Sequence, residues 1–404
     1  VDIFEICRRE FCCPLCKGSL AVQRVGAAGD GAMTCAGCRN VYLIVDNIPI
    51  LLAPEYVPAG IKQHFLERHP GCRELCGNLG TGRASEIKSH QMETWDRQYD
   101  GAASTPPAHR TLPGTRDIEV HDLFYRNSRR VLDEIVLRRR EVEENGVFLD
   151  IGCGEGTFTE MGMRNFRLYV GMDISFHAIL RCHERFPYKN CVFLVGDAER
   201  LPLKAGRADL CAAQWLFEHL EDPCRCSEEM FRVLSDGGHA YVDTNHRDFL
   251  LTYRWCQMVF SARRYWRRMR EAGHSHDRFF GRGQIETLFG DAGFSGVRTH
   301  LCYFLMDMFI SLKILAPIRK GLAGLASGGR PQPPGDRVVG GRGLLEFEEK
   351  SEFLPRRTRL DTVRRILNAG AVLAHWLLWA DRILELAGKG ESVILIAEKG
   401  RRPA

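Results

Sequence analysis

The 404-residue chain carries 56 Lys and Arg against 51 Asp and Glu, a net charge of +5, with 45% hydrophobic and 26% charged residues. That balance excludes a disordered or low-complexity chain and allows one large domain with accessories, or two to three domains. The mild positive charge permits an anionic partner, nucleic acid or membrane, without demanding one.

Of the 16 cysteines, four have metal-ligand spacing and others, such as Cys191, Cys211 and Cys302, sit inside apolar runs. That usage suits a reducing compartment better than a disulfide framework. The N-terminus is charged and shows no signal-peptide run, so the expected location is cytoplasmic, with peripheral membrane contact left open. The longest uncharged apolar stretch, Ile366 to Ala380, has 15 residues. It falls short of the roughly 18 needed to span a bilayer and is read as a buried helix, with an interfacial one as the alternative.

Residues 1–55 form a first unit. Cys13-Pro14-Leu15-Cys16 and Cys35-Ala36-Gly37-Cys38 are two C-x2-C pairs separated by 18 residues. Two such turns can bring four thiolates to the corners of a tetrahedron, the arrangement of a structural Zn²⁺ site with no open position. A unit this small also needs a staple. Residues 40–52 then read as strand, turn, strand. Together these features resemble the zinc-ribbon domains that accompany methyltransferases, as separate activating subunits or as N-terminal fusions. Their "YPI-x-DGIP-x-LL" phrase is matched here by Tyr42 to Leu52, with Leu43 for the first Pro and Asn47 for the Gly.

Residues 56–116 read as a connector, with a short helix over Glu93–Tyr99 that packs over the next domain and a loop rich in Ala, Pro, Thr and Gly over 102–115. Helical spacing predicts a helix across His121–Glu144. Five strands are then expected at Val147–Ile151, Arg167–Asp173, Cys191–Asp197, Ala208–Gln214 and Gly238–Asp243, with helices between them. Alternation of this kind implies a parallel sheet with helices on both faces, whose ligands bind beyond the carboxyl ends of the strands.

The first of these strands ends in Asp150-Ile151-Gly152-Cys153-Gly154-Glu155-Gly156. Glycines there let the backbone turn sharply and approach a ligand, at the positive end of a helix. Asp173 ends the second strand, where an acid can accept from both hydroxyls of a ribose, and Asp197-Ala198 ends the third. An acid directly before the glycine turn would repel a diphosphate but suits a ligand bearing an ammonium group. With Phe217-Glu218-His219-Leu220-Glu221-Asp222-Pro223 and Phe231 to Gly238, these phrases resemble the class I S-adenosylmethionine-dependent methyltransferases, specifically those acting on small molecules and lipids. The resemblance runs from about His121 to Phe304. It implies that Asp150, Gly152, Gly154 and Gly156 hold the amino-acid part of the cofactor, Asp173 the ribose, and Asp197 and Ala198 the adenine, while Gln214 lines the methionine end.

The resemblance also implies an α/β fold: a Rossmann-like, seven-stranded methyltransferase sheet with an N-terminal zinc ribbon and a helical insertion before the last strand. The division expected is 1–55 zinc ribbon, 56–116 connector, 117–304 methyltransferase core, 305–391 helical insertion, and 392–404 last strand and tail. The insertion departs from the family pattern. Its apolar segments suit a substrate cap, a membrane contact or a dimer interface. Arg254 to Arg270 carries six arginines interleaved with aromatic residues.

A sulfonium is already an activated methyl donor, so alignment and exclusion of water are the main tasks, and only an oxygen acceptor calls for a base. His219 and His276 are the candidate catalytic residues. The expected acceptor is a small molecule, apolar or lipid-linked. An RNA methyltransferase is the alternative enzyme, since some ribosomal-RNA guanine methyltransferases also carry an N-terminal zinc ribbon. Their second ligand pair typically includes a His where this chain has Cys38. A non-catalytic cofactor-binding scaffold is the third reading.

Overall fold

The computed structural model describes residues 2–26, 29–100, 146–187, 189–249, 278–302 and 392–400, with 132, 259, 262–263, 266–267 and 387–388. His276, the helix expected over 121–144 apart from Leu132, most of the arginine-rich segment and nearly all of 305–391 lie outside the described residues.

The chain begins with helix α1 (Ile3–Glu10), capped by Asp2, whose carboxylate accepts from the Phe4 N–H at 3.0 Å. Strands β1 (Leu20–Arg24), β2 (Gly31–Cys35), β3 (Val41–Val45) and β4 (Ile48–Leu51) follow as an antiparallel meander. The strand–turn–strand expected over 40–52 is β3 and β4, turned by Asp46 and Asn47, both at positive φ. Helices α2 (Ala59–Arg68) and α3 (Glu86–Asp100) come next. The short helix expected at Glu93–Tyr99 is the second half of α3.

The alternating region supplies β5 (Val147–Ile151), α4 (Thr159–Asn165), β6 (Leu168–Asp173), α5 (Phe176–Arg185), β7 (Cys191–Gly196), β8 (Ala208–Gln214), α6 (Pro223–Val233) and β9 (Leu234–Asn245). Helix α7 (Arg282–Asp291), β10 (Ser295–Cys302) and β11 (Ser392–Glu398) complete the described elements.

All eleven strands join one sheet, in the order β1-β2-β3-β4-β7-β6-β5-β8-β9-β11-β10. The count differs from the seven strands expected, because the seven strands β5 to β11 are joined by the four of residues 20–51 in one sheet. The four strands of residues 20–51 continue the sheet because β4 pairs in parallel with β7, Ile50 opposite Val195 and Leu51 opposite Gly196. From β4 to β9 every pairing is parallel, and β11 runs antiparallel between β9 and β10.

Parallel strands covered on both faces are buried throughout and mostly apolar, as β5 illustrates: all five of its residues are buried and only Asp150 is polar. Val147, Leu149 and Ile151 join one hydrophobic layer and Phe148 the other. Both layers continue into β3, Tyr42 and Ile44 lying in the first, Leu43 and Val45 in the second. Polar contacts tighten the same seam. The Cys12 N–H donates to Pro202 O at 2.7 Å, and the Lys17 ammonium reaches Glu229 at 2.5 Å and Leu201 O at 3.3 Å. Buried Glu10 gathers Arg9 at 2.8 Å and Arg167 at 3.2 Å.

Candidate functional site

In chain order the strands step outward from β5 through β6 to β7, then jump back to β8 on the other side of β5. That reversal opens a crevice beyond the carboxyl ends of β5 and β8, where sheets of this kind take their ligands. Asp150, the three glycines, Asp173, Asp197, Ala198, Gln214 and His219 lie at or just after the carboxyl ends of β5, β6, β7 and β8, while His276 is outside the described residues.

Gly152, Gly154 and Gly156 all have positive φ, at 70°, 50° and 81°. The turn is fastened to the neighbouring strand: Gly152 and Cys153 N–H donate to Met172 O at 2.7 and 2.9 Å. At Gly156 a Cβ would lie 2.5 Å from Thr159 Oγ1 and 2.7 Å from the Phe186 ring, so no larger residue fits.

Asp173, at the end of β6, accepts from the Gly154 N–H and the Ser175 N–H, both at 2.9 Å. Burial raises its pKa, and those N–H groups oppose the rise. Asp150 is buried beneath the turn, and Tyr169 Oη donates to it at 2.6 Å. Burial pushes the Asp150 carboxyl up to about 7, against the lowering effect of that hydroxyl. Asp197 follows β7, with Ala198 beside it opening a short 3₁₀ turn. Gln214 ends β8 and donates to Asp243 at 3.4 Å. Trp215, next in line, sits at φ 51° and is 38% exposed. A bulky residue held in that conformation is strained, and such strain gathers at ligand sites.

His219 lies on the turn after β8 and is buried, with the Trp95 ring edge-on at 5.0 Å. Glu218 beside it is also buried and accepts from Thr244 Oγ1 at 2.6 Å and Asn245 Nδ2 at 2.7 Å, bonding the ends of β8 and β9 together.

Helix α3 supplies what the sequence reading missed. Along one face it touches the loop after each of four parallel strands. Lys88 Nζ meets Asp197 at 2.7 Å and Glu199 at 2.9 Å after β7. Asp96 accepts from Ser175 Oγ at 2.6 Å after β6. The Tyr99 hydroxyl stands over Gly154 after β5, 3.0 Å from where a Cβ would be. Gln91 donates to His219 O after β8. With Trp95 against His219, the i, i+3, i+7, i+8, i+11 spacing of these residues defines a helix face, but one made mostly of polar groups. The signal available in sequence was that polar periodicity.

The four cysteines also converge. Their Sγ atoms all lie within 4.8 Å of one another, and no other group of three or more such ligands occurs among the described residues. Zinc–sulfur bonds of about 2.3 Å place tetrahedral sulfurs about 3.8 Å apart, so the set fits. The two turns repeat each other. Lys17 and Arg39, each following the second cysteine of its pair, both have φ 62°. Cys13 and Cys35 N–H donate to Gly18 O and Asn40 O, both at 2.9 Å. The space is shaped for sulfur as well: a Cβ at Gly18 would lie 3.0 Å from Cys35 Sγ. Donors stand ready for thiolates, with Tyr42 Oη 3.0 Å from Cys13 Sγ and Asn40 Nδ2 3.3 Å from Cys38 Sγ. A hydrogen bond from the Gly18 backbone leads the effects that lower the Cys16 thiol to about 7.

Residues 149–242 match the methyltransferase domain family. Over 98 residues the chain is 34% identical to the chloroplastic 2-methyl-6-phytyl-1,4-hydroquinone methyltransferase of Arabidopsis thaliana, covering 23% of this chain and 28% of that protein. It is 29% identical over 118 residues to the ubiquinone biosynthesis O-methyltransferase of Coxiella burnetii, covering 28% of this chain and 50% of that protein. The chain thus spans half or less of the curated relatives it matches. The solved phosphoethanolamine N-methyltransferase 2 of Haemonchus contortus, in complex with S-adenosyl-L-methionine, superposes with a TM-score of 0.40 at 14% identity, over 67% of this chain and 53% of that one. A likeness of that size carries no argument about this chain.

Proposed function

We propose that this chain, whose residues 149–242 belong to the methyltransferase domain family, is a class I S-adenosylmethionine-dependent methyltransferase acting on a small-molecule acceptor. The observation that carries the reading is an order in space. The glycine turn, Asp173 and Asp197-Ala198 follow three adjacent parallel strands, β5, β6 and β7. Amino acid, ribose and adenine follow one another in the cofactor in the same order. Two strand spacings, about 10 Å, separate the outer loops, a span that an extended nucleoside with its side chain bridges.

When bound, the sulfonium supplies an activated methyl group. The chain's own residues bind and orient. Gly152, Gly154 and Gly156 let the backbone approach the amino-acid end, and Asp150 lies beneath its ammonium, whose charge favours the ionised acid. Asp173 accepts from the ribose hydroxyls, and Asp197 and Ala198 meet the adenine. Gln214 lines the methionine end. Helix α3 closes over these loops and keeps water from the reacting atoms. His219 and His276 are the candidates for a base or a substrate contact, the former held by Trp95 beside the β8 loop. Cys13, Cys16, Cys35 and Cys38 would hold one structural Zn²⁺, a closed site with no catalytic position.

The proposed division is ribbon 1–55, connector 56–116, core 117–304, insertion 305–391, and last strand and tail 392–404. The relatives named for hydroquinone and ubiquinone chemistry favour an apolar or lipid-linked acceptor, capped by the insertion. A cytoplasmic enzyme working at a membrane surface accords with that acceptor, and the insertion is equally suited to a homodimer contact. Among the described residues, no helix is long and apolar enough to cross a membrane.

Transfer of labelled methyl from S-adenosylmethionine into fractionated lysate tests the proposal. Label in the lipid or small-molecule fraction supports it, and label in RNA would favour the ribosomal-RNA alternative. Calorimetric cofactor binding with no label in any fraction would leave the cofactor-binding scaffold, and absence of binding would dismiss the cofactor site altogether.

A further inference from the structure

Lys88 places a charged ammonium, only 4% exposed, between two carboxylates that are 4% and 7% exposed. It reaches them from α3, across more than 100 residues of chain, at 2.7 Å from Asp197 and 2.9 Å from Glu199. Burial pulls the lysine's pKa down, but the two acids outweigh it and leave it raised. The Tyr56 ring, 6.0 Å from the nitrogen, is the other group facing the ammonium.

The two acids are not equivalent. Glu199 uses its other oxygen on the Glu221 and Asp222 N–H groups, at 2.8 and 3.2 Å, fastening the start of α6. Among the described residues Asp197 has one further bond, from the Glu199 N–H at 3.0 Å, and it stands directly after the end of β7. A carboxylate accepts up to about four hydrogen bonds, so Asp197 retains capacity for another donor. Two carboxylates buried this close repel each other, and a cation between them offsets that repulsion. An apolar trio would serve packing alone at least as well.

We propose that Lys88 is a positioning residue for the nucleobase end of the cofactor: its ammonium, bonded to Asp197, fixes the direction of that carboxylate, so that the acid accepts from the exocyclic amine of adenine. This rests on the assignment of Asp197 made above. Lys88 touches Asp197 and not the ligand, so its loss acts through the acid and shows as lost discrimination between bases.

The test is calorimetry on the full chain with two probes, S-adenosylhomocysteine and its inosine counterpart, in which a carbonyl oxygen replaces the amine. Wild type should prefer the adenine form by about ten-fold or more, the worth of a charge-assisted bond. Lys88→Met should weaken the adenine form by about ten-fold and leave the inosine form little changed, collapsing the ratio. Lys88→Arg should restore most of it. Should Lys88→Met fail to fold, Lys88→Gln, which retains a donor without the charge, should show the same collapse. An unchanged ratio in the neutral variants, or equal weakening of both probes, overturns the proposal. If Asp197→Asn leaves the adenine form bound as tightly as in wild type, the assignment of Asp197 falls first, and the role of Lys88 with it.

Discussion

At the ends of β5 and β6 two carboxylates are held by different partners, and their variants should fail in different ways. Asp173 accepts two backbone N–H groups, one of them from the glycine turn. Asp173→Ala should cost about 1–3 kcal/mol of stability by orphaning those donors, and about ten-fold or more in S-adenosylhomocysteine affinity. Calorimetry that found wild-type affinity would remove Asp173 from the site. Asp150 behaves differently because its folded pKa, about 7, lies above the ordinary 3.8. Between those values the folded chain binds a proton that the unfolded chain has released, so stability falls as pH rises through that window. Asp150→Asn should abolish this slope, up to about 1.4 kcal/mol per pH unit, and gain on wild type as pH rises from about 4 to about 7 in denaturant titrations. Parallel curves would contradict it. The positions of both acids were legible in the sequence because each ends an apolar run. Their partners were not: Tyr169 reaches Asp150 from the neighbouring strand, a contact that pairing register alone creates.

Among the elements, the paired cysteine turns and α3 mark the two extremes of legibility. The C-x2-C spacing announces its chemistry because thiolates at that separation can share one ion. Purified chain should hold about one equivalent of zinc, and Cys35→Ser should lose most of it. Full zinc content in that variant, by atomic absorption, would dismiss the site. Helix α3 was legible only in its second half. Its contacts with the crevice run through Lys88, Gln91, Asp96 and Tyr99, a face too polar to register as an amphipathic core stripe.

For the whole molecule, the two hydrophobic layers run without a break from β3 to β11. Cysteine turns and core should therefore unfold together. Scanning calorimetry should give one shared transition for them, which moves to lower temperature on zinc chelation. A separate early transition for residues 1–55 would contradict this. The parallel β-α alternation was readable from sequence, as were the acids at the ends of β5, β6 and β7. The junction of β4 with β7 was not, because a strand buried within a wide sheet and one at its margin can carry the same apolar residues, and nothing local tells a β-strand which distant strand it will meet.

That junction bears on how the chain could be divided. Stripped of its first four strands, the sheet would end at β7, where Val195 and Gly196 would lose their partners Ile50 and Leu51 and leave unpaired backbone groups flanked by apolar side chains. Such a margin is a template for adding foreign strands. Residues 20–51 thus also act as a built-in guard against aggregation: they carry the sheet on to β1, whose exposed Ala21, Gln23 and Arg24 make a margin better suited to water.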